Sequence, residues 1–357
     1  MRGWRILTIV GARPQFVKAA AVSRAIAAHR RLEETLVHTG QHFDPGMSQV
    51  FFDELAIPAP RYNLGIHGGG HGAMTGRMLA AIEEVILAEK PDLVLVPGDT
   101  NSTLAGALAA AKLGVPVAHL EAGLRSFNRA MPEELNRVVT DHLSALLFCP
   151  TETAIANLAR EGIAEGVHDI GDVMYDAALF AAARSRRSRV LERLGLEERQ
   201  YAVATVHRAE NTGECERLGE IIAFLREEAH GRAVVFPVHP RTRAQIADWR
   251  LDLAGILVCE PLGYLDMHRL LASASVVFTD SGGVQKEAYF HRVPCVTLRG
   301  ETEWVETVEA GWNRLWKGPD YRPRREIAAY GDGRAAEAAV ARIVEYLECR
   351  ATAASAR

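Results

Sequence analysis

Asp280-Ser281-Gly282-Gly283-Val284-Gln285-Lys286-Glu287 is the stretch on which the reading of the fold turns. It follows an apolar run, Val276-Val277-Phe278-Thr279, that reads as a buried parallel strand. It leads into a helix predicted over residues 285–290. A strand that breaks at Ser-Gly-Gly and opens into a helix aims bare backbone N–H groups and the positive helix end at one point. A diphosphate is the anion that such a place suits best, held by Ser281, Gly282 and Gly283, while Glu287 could bond the two hydroxyls of a ribose. The plainer reading of the two glycines is a tight turn that needs their backbone freedom.

Working outward, the same strand-then-helix rhythm fills the second half of the chain. Strands are predicted over residues 201–205, 234–237, 256–259, 276–279 and 295–298. The first two end in His207-Arg208-Ala209-Glu210-Asn211 and His239-Pro240-Arg241-Thr242-Arg243. Histidine and arginine repeated at strand ends are poorly explained by packing and fit a phosphate-bearing ligand. The first half repeats the plan, with strands at 6–10, 36–39, 93–96, 115–120 and 146–148. Their continuous apolar runs, separated by helical patterns, imply parallel sheets covered on both faces. The fold class is therefore α/β, with two doubly wound domains and a cleft between them. The boundaries fall at 1–171 and 172–334. The basic run from Arg184 to Arg189 reads as a solvated linker face.

Ligands of such sheets bind beyond the carboxyl ends of the strands, and the first half places its charges there. Gly11-Ala12-Arg13-Pro14 turns the first strand into a helix, and Arg13 and Lys18 stand where the helix dipole disfavours cations. Either a bound anion calls for them or they are solvated surface charges. Asp99 and Glu121 follow the strands at 93–96 and 115–120. Two carboxylates in one crevice can split into acid and base; alternatively each caps the following helix, for which Asp99 suits better than Glu121. Glu133 and Arg137 lie one helical turn apart, either as a site pair or as an ordinary surface pair.

Composition narrows the class. A chain of 357 residues exceeds one ordinary core. A formal charge of −4 gives no call for nucleic acid or an anionic membrane, so any anionic ligand must be held by local charge. No apolar run reaches the length of a membrane span. Five scattered cysteines without metal spacing suit a reducing cytoplasm, and the N-terminus, running straight into a strand, reads as having no signal peptide. His67 and His71 flank a glycine-rich loop without a third ligand at a recognisable spacing, which favours a mobile loop over a metal site.

Taken together, Gly11-Ala12-Arg13-Pro14, Gly98-Asp99-Thr100, Glu121-Ala122-Gly123-Leu124-Arg125, Pro132-Glu133-Glu134 with Asn136-Arg137, His207-Arg208 and Asp280-Ser281-Gly282-Gly283 resemble the non-hydrolysing UDP-N-acetylglucosamine 2-epimerases. The resemblance implies a glycosyltransferase-B-like fold and a homodimer. It also implies a C-terminal helix, about residues 335–350, that packs back toward the first domain. The implied reaction interconverts UDP-N-acetylglucosamine and its C2 epimer, in the service of polysaccharide biosynthesis. Gln15 stands where the family usually has Glu, and Phe43-Asp44-Pro45 replaces the usual Arg-Glu-Met. That second departure touches the region which, with Arg77, holds an activating second substrate molecule in bacterial members. Gly40 to Asp44, His71-Gly72 with Met74 to Arg77, and Asp280 to Ala288 with Thr302-Glu303-Trp304 look closer to the branch that includes UDP-2,3-diacetamido-2,3-dideoxyglucuronic acid 2-epimerases.

The chemistry must invert a sugar C2 whose proton no carbonyl acidifies. No glycine fingerprint for a nicotinamide stands in the sequence, and no cofactor or metal is called for. Expelling UDP first makes C1 electron-deficient and the C2 proton removable, giving a glycal to which UDP adds back; the resemblance implies the same route. Arg13, His207, Ser281, Gly282 and Gly283 would stabilise the departing diphosphate, with Lys18 and His239 as further contacts. Asp99, Glu121 and Glu133 are the acid and base candidates, Arg137 orients Glu133, and Met267 aligns with a residue that packs against uracil in relatives. A UDP-sugar glycosyltransferase and a hydrolysing epimerase are the competing classes.

Overall fold

The computed structural model describes residues 3–41 and 54–355. The Phe43-Asp44-Pro45 departure lies outside them, as does most of residues 47–55, whose sequence reads as helical. The chain forms two compact units, Met1–Ala177 with Ala328–Arg357, and Ala178–Ile327.

The first unit carries a seven-stranded sheet in the order β3-β2-β1-β4-β5-β6-β7, with every pairing parallel. Its strands are β1 Trp4–Val10, β2 Leu32–His38, β3 Tyr62–Asn63, β4 Leu93–Pro97, β5 Val117–Leu120, β6 Leu146–Cys149 and β7 Val167–Asp169. The second unit has six parallel strands in the order β10-β9-β8-β11-β12-β13. These are β8 Tyr201–Thr205, β9 Ala233–Pro237, β10 Ile256–Cys259, β11 Val276–Thr279, β12 Cys295–Thr297 and β13 Asn313–Leu315.

Both sheets reverse their strand order once, between β1 and β4 in the first and between β8 and β11 in the second. At such a switch the two connections leave in opposite directions and open a crevice at the strand carboxyl ends. The loops at the first switch are Gly11–Ala12 and Gly98–Thr100; those at the second are Val206–Arg208 and Asp280–Ser281. Every sequence motif quoted above for ligand contact, apart from those after β5 and β9 and on helices, stands at one of these four places.

The central strands are buried along most of their length, as continuous apolar runs require when helices cover both faces. The helix Ala335–Ser355 returns to the first unit. Its Ala336, Ala339, Val340, Ile343 and Leu347 recur at helical spacing and share one core with Ile6, Leu93, Leu95 and Phe148. Asp176 anchors its start, accepting from Ala335 N at 3.1 Å and Ala336 N at 2.8 Å. Burial pushes the Asp176 carboxyl up to about 6 in spite of those two bonds.

The strand β2 begins at Leu32 rather than near 36, because Glu33 and Glu34 belong to it. Glu34 reads as a loop residue, yet its carboxyl is buried and accepts from Thr8 Oγ1 at 2.5 Å. That burial raises its titration above the usual carboxylate value. The edge strands β3, β7 and β13 span two or three residues each, too few for any period to be visible. The helix after β11 runs Gly282–Phe290, three residues earlier than expected.

Ile343 is fully buried where the last helix meets the first sheet. Ile343→Ala is expected to destabilise the first unit by about 2–5 kcal/mol through the cavity it leaves. Urea denaturation followed by circular dichroism checks this.

Candidate active site

In the first unit the turn after β1 is built on Gln15. Its Oε1 accepts from Gly11 N at 2.8 Å and Ala12 N at 3.1 Å. Its Nε2 donates to Pro97 O at 2.8 Å and Thr103 Oγ1 at 3.0 Å. An amide does both jobs at once, whereas an ionised Glu could only accept. The Gln that departs from the family pattern thus ties the β1 turn to the end of β4. Arg13 opens the helix Arg13–Ala28 and is half-buried.

Lys18, expected as a surface charge or a diphosphate contact, is buried, and its ammonium pairs directly with Glu121; each side chain is 8 % exposed. Glu121 follows β5 in a left-handed backbone conformation, φ +69°. Its N–H and that of Ala122 both donate to Phe148 O, each at 3.1 Å. A non-glycine residue in that region costs about 1 kcal/mol or more and is retained where surrounding structure demands it. Glu121 caps no helix. Nothing in residue spacing signals this backbone, which depends on β6.

The helix after β4, Asn101–Lys112, is capped by Thr100, whose hydroxyl accepts from Thr103 N. Asp99, read as a fair cap, is released from that task. Its Oδ2 instead takes Arg137 Nε at 3.0 Å and Nη2 at 2.7 Å. Arg137 Nη1 donates to Glu134 Oε2 at 2.8 Å. The guanidinium thus bridges Asp99 and Glu134. The reason is geometric, since the three-residue spacing puts Glu134 over the buried face of the helix Pro132–Leu143, while Glu133 stays half-exposed. Glu134 also accepts from Ser126 N at 2.9 Å, Phe127 N at 2.9 Å and Ser126 Oγ at 3.0 Å. Burial pushes this carboxyl up, but the Ser126 and Phe127 N–H groups and Arg137 more than offset it, so it titrates below the usual range. Glu134 is a site-building residue that sequence reasoning passed over in favour of its neighbour.

Arg77 donates to the carbonyls of His67 at 3.0 Å and Gly68 at 2.7 Å. It ties down the glycine-rich loop that the sequence suggested was mobile.

In the second unit Asp280 is fully buried and acts as a staple. It accepts from His207 N at 2.9 Å, Arg208 N at 2.9 Å and Asn211 Nδ2 at 3.1 Å, and its Oδ1 lies 3.2 Å from His207 Nδ1. The two loops of the second switch are thereby joined, and the half-exposed His207 ring is held beside the Ser281-Gly282-Gly283 turn. Ser281 is the N-cap, its hydroxyl facing Val284 N at 3.5 Å. The glycines are the first two helical residues, so their N–H groups are among those a helix leaves without internal partners. Gly282 has no room for a side chain: a Cβ there would lie 2.4 Å from Glu303 Oε1. Glu303 is itself held by Arg299 at 2.9 Å.

Glu287 stands in the second turn of this helix rather than at its start, because the helix begins at Gly282. It is buried, with Oε1 3.6 Å from His268 Nε2. His268 in turn meets His291 at 2.8 Å. Burial and the neighbouring His268 pull His291 down to about 3, which keeps it neutral. Met267 lies on the same helix as His268 and packs partly buried against the core beneath. His239 is exposed at the foot of the helix Pro240–Asp248.

The UDP-N-acetylglucosamine 2-epimerase family model matches residues 24–348. A UDP-N-acetylglucosamine 2-epimerase homolog of Methanococcus maripaludis is 55% identical over 319 residues, 87% of this chain and 88% of that protein. A UDP-2,3-diacetamido-2,3-dideoxy-D-glucuronate 2-epimerase of Pseudomonas aeruginosa is 56% identical over 316 residues, again 87% of this chain and 88% of that one. The crystal structure of the Methanocaldococcus jannaschii UDP-GlcNAc 2-epimerase in complex with UDP-GlcNAc and UDP superposes with a TM-score of 0.87 and 41% identity, covering 97% of this chain and 100% of that one. The two parallel α/β units are thus those of a glycosyltransferase-B-like isomerase fold. The chain belongs to the UDP-N-acetylglucosamine 2-epimerase family.

Two outcomes check the site's construction. Asp280→Ala leaves the donors of His207, Arg208 and Asn211 without their acceptor and is expected to lower stability by at least about 2 kcal/mol in urea denaturation. Glu134 titrates below its unfolded value, so the stability it supplies is present above that unfolded value, about 4, and is lost as pH falls through the lower folded one. The acid limb of a stability-against-pH curve should accordingly be shallower in Glu134→Gln than in the parent.

Proposed function

We propose that this protein inverts C2 of a UDP-2-acetamido sugar without hydrolysing it, with UDP-N-acetylglucosamine as substrate. The reading is carried by what each unit places at its strand ends. The first unit presents carboxylates at the ends of β4 and β5 and on the following helix, and the second presents a Ser-Gly-Gly helix start with His207 stapled beside it.

In this mechanism the diphosphate is held by Ser281, by the N–H groups of Gly282 and Gly283, and by His207 and Arg13, which stabilise the charge that develops as the C1–O bond breaks. His239 is a further contact, Glu287 binds the ribose and Met267 packs against the uracil. Asp99, Glu121 and Glu133 supply the acid and base: one removes the C2 proton as UDP departs, and another delivers a proton to the opposite face of the glycal as UDP adds back. The bonds on Asp99 and Glu121 give these carboxylates different surroundings. Asp99 faces a guanidinium shared with Glu134, and Glu121 faces the ammonium of Lys18, whose part is to hold Glu121 rather than the diphosphate. Glu133 is left half-exposed on its helix, where a substrate can reach it.

The P. aeruginosa relative, at 56% identity, supports a second reading in which the substrate is the 2,3-diacetamido uronate. A homodimer working in the cytoplasm and supplying sugar nucleotides for polysaccharide biosynthesis completes the proposal. No helix among the described residues is long and apolar enough to cross a membrane.

Reaction of UDP-N-acetylglucosamine in deuterated water, followed by NMR, is expected to give the C2 epimer with deuterium at C2. Epimer without deuterium overturns the proton-transfer mechanism, and free sugar as product points to a hydrolysing enzyme. The diacetamido uronate run alongside decides between the two substrates. Asp99→Asn and Glu121→Gln are each expected to lower kcat at least ~100-fold, the low end for acid–base groups.

A further inference from the structure

We propose that His119 and Asp141 form a positioning pair that fixes the turns carrying Asp99 and Glu121 in one arrangement; this rests on the reading of those two carboxylates given above. His119 is the third residue of β5, and its side chain is fully buried. Its Nε2 lies 2.7 Å from Gly98 O. A carbonyl only accepts, so the ring donates there, directly to the peptide that joins Gly98 to Asp99. Its Nδ1 lies 2.6 Å from Asp141 Oδ1.

Asp141 is the node of the arrangement. Its other oxygen accepts from Gly123 N at 3.1 Å and from Arg125 Nη1 at 2.7 Å. Gly123 lies two residues beyond Glu121, in the left-handed region at φ +79°, where a Cβ would meet Ala154 O at 2.4 Å. Its carbonyl accepts from Asn157 Nδ2 at 3.0 Å, so the peptides on both sides of Gly123 are held. Arg125 passes the charge outward to Glu161 through two bonds of 2.7 Å. Burial pushes the Asp141 carboxyl up, but His119 and Arg125 more than offset it and keep it below the usual carboxylate range. One ionised group beneath the sheet end thus holds the turn after β4 through His119 and the turn after β5 through Gly123.

The arrangement has a chemical consequence. Gly98 is itself in the left-handed region at φ +68° and passes beside Lys18, the partner of Glu121: a Cβ on Gly98 would be 3.0 Å from Lys18 Nζ. Displacing the Gly98 carbonyl therefore moves the Asp99 backbone and disturbs the surroundings of the Lys18–Glu121 pair together. An acid and a base that act on opposite faces of one carbon need their separation fixed, since misplacement by about 1 Å can cost 100-fold in rate. His119 touches no substrate in this scheme; it acts through the Gly98–Asp99 peptide.

The test compares His119→Gln, which keeps an N–H donor within reach of Gly98 O, with His119→Leu, which keeps bulk and removes the donor. For each, kcat, KM and the C2 deuterium exchange rate are measured with UDP-N-acetylglucosamine, and UDP affinity by calorimetry. The expected result is a loss in kcat of at least ~30-fold in His119→Leu, with KM and UDP affinity within about threefold of the parent, and a substantially smaller loss in His119→Gln. Parental kcat in His119→Leu, or a loss carried by KM, overturns the proposal, as does a His119→Gln that falls as far as His119→Leu. If His119→Leu does not fold, Asp141→Asn replaces it: it keeps the shape and removes the charge, a kcat loss of at least ~30-fold is expected, and parental kcat overturns the proposal. A parent that exchanges no deuterium at C2 overturns the functional reading and this inference with it, an outcome distinct from an active parent with unaffected variants.

Discussion

A carboxylate withdrawn from water persists as an anion only where donors surround it, and this constraint governs both units. Asp141, Glu134 and Asp280 are buried, and each is wrapped by backbone N–H groups together with a cation, an amide or a ring. None of the three is spare charge. Each one sits at the carboxyl end of the sheet and holds loops that no run of apolar residues could fix. Asp141 holds the turns that carry Asp99 and Glu121 through His119 and Gly123, and Glu134 holds Arg137, the partner of Asp99; Asp280 joins the loops after β8 and β11.

The groups that build are thereby distinct from the groups proposed to act. The builders take many bonds and are fully enclosed, so they are poor candidates for proton exchange with a sugar. Asp99 and Glu133 are partly exposed. Glu121 is nearly enclosed and pairs with Lys18, and its backbone lies in the left-handed region. In the second unit Asp280 lies beneath the surface and His207 above it, and the proposed diphosphate gives the free N–H groups of the helix start their acceptor.

Much of this was legible in the residues. Parallel sheets with both faces covered follow from the continuous apolar runs at 93–96, 146–148 and 276–279, and the strand ends located Asp99, Glu121, His207 and Ser281 in advance. What was not legible depends on partners far apart in the chain. Asp280 and His207 are 73 residues apart in their bond, and His119 and Asp141 are 22 apart. No local period encodes such pairings. The choice between Glu133 and Glu134 turned on which face of one helix is buried, and the sequence Pro-Glu-Glu-Leu-Asn-Arg leaves both open. Thr100 rather than Asp99 caps its helix because either residue type can, and only the bond from Arg137 decides it. The helix start at Gly282 was missed since glycine counts against helix by propensity, although in a first turn that penalty is offset when the N–H groups have a task.

The central claim is that the bond between the sugar and UDP breaks and re-forms in every turnover. Positional isotope exchange tests it most directly. UDP-N-acetylglucosamine carrying oxygen-18 in the bridge between C1 and the β-phosphorus is incubated with the enzyme, and the recovered sugar nucleotides are examined by phosphorus NMR. Elimination frees the β-phosphate to rotate before UDP adds back, so the label should scramble into its non-bridging positions. Epimer that forms at full rate with all of the label still in the bridge would contradict the account.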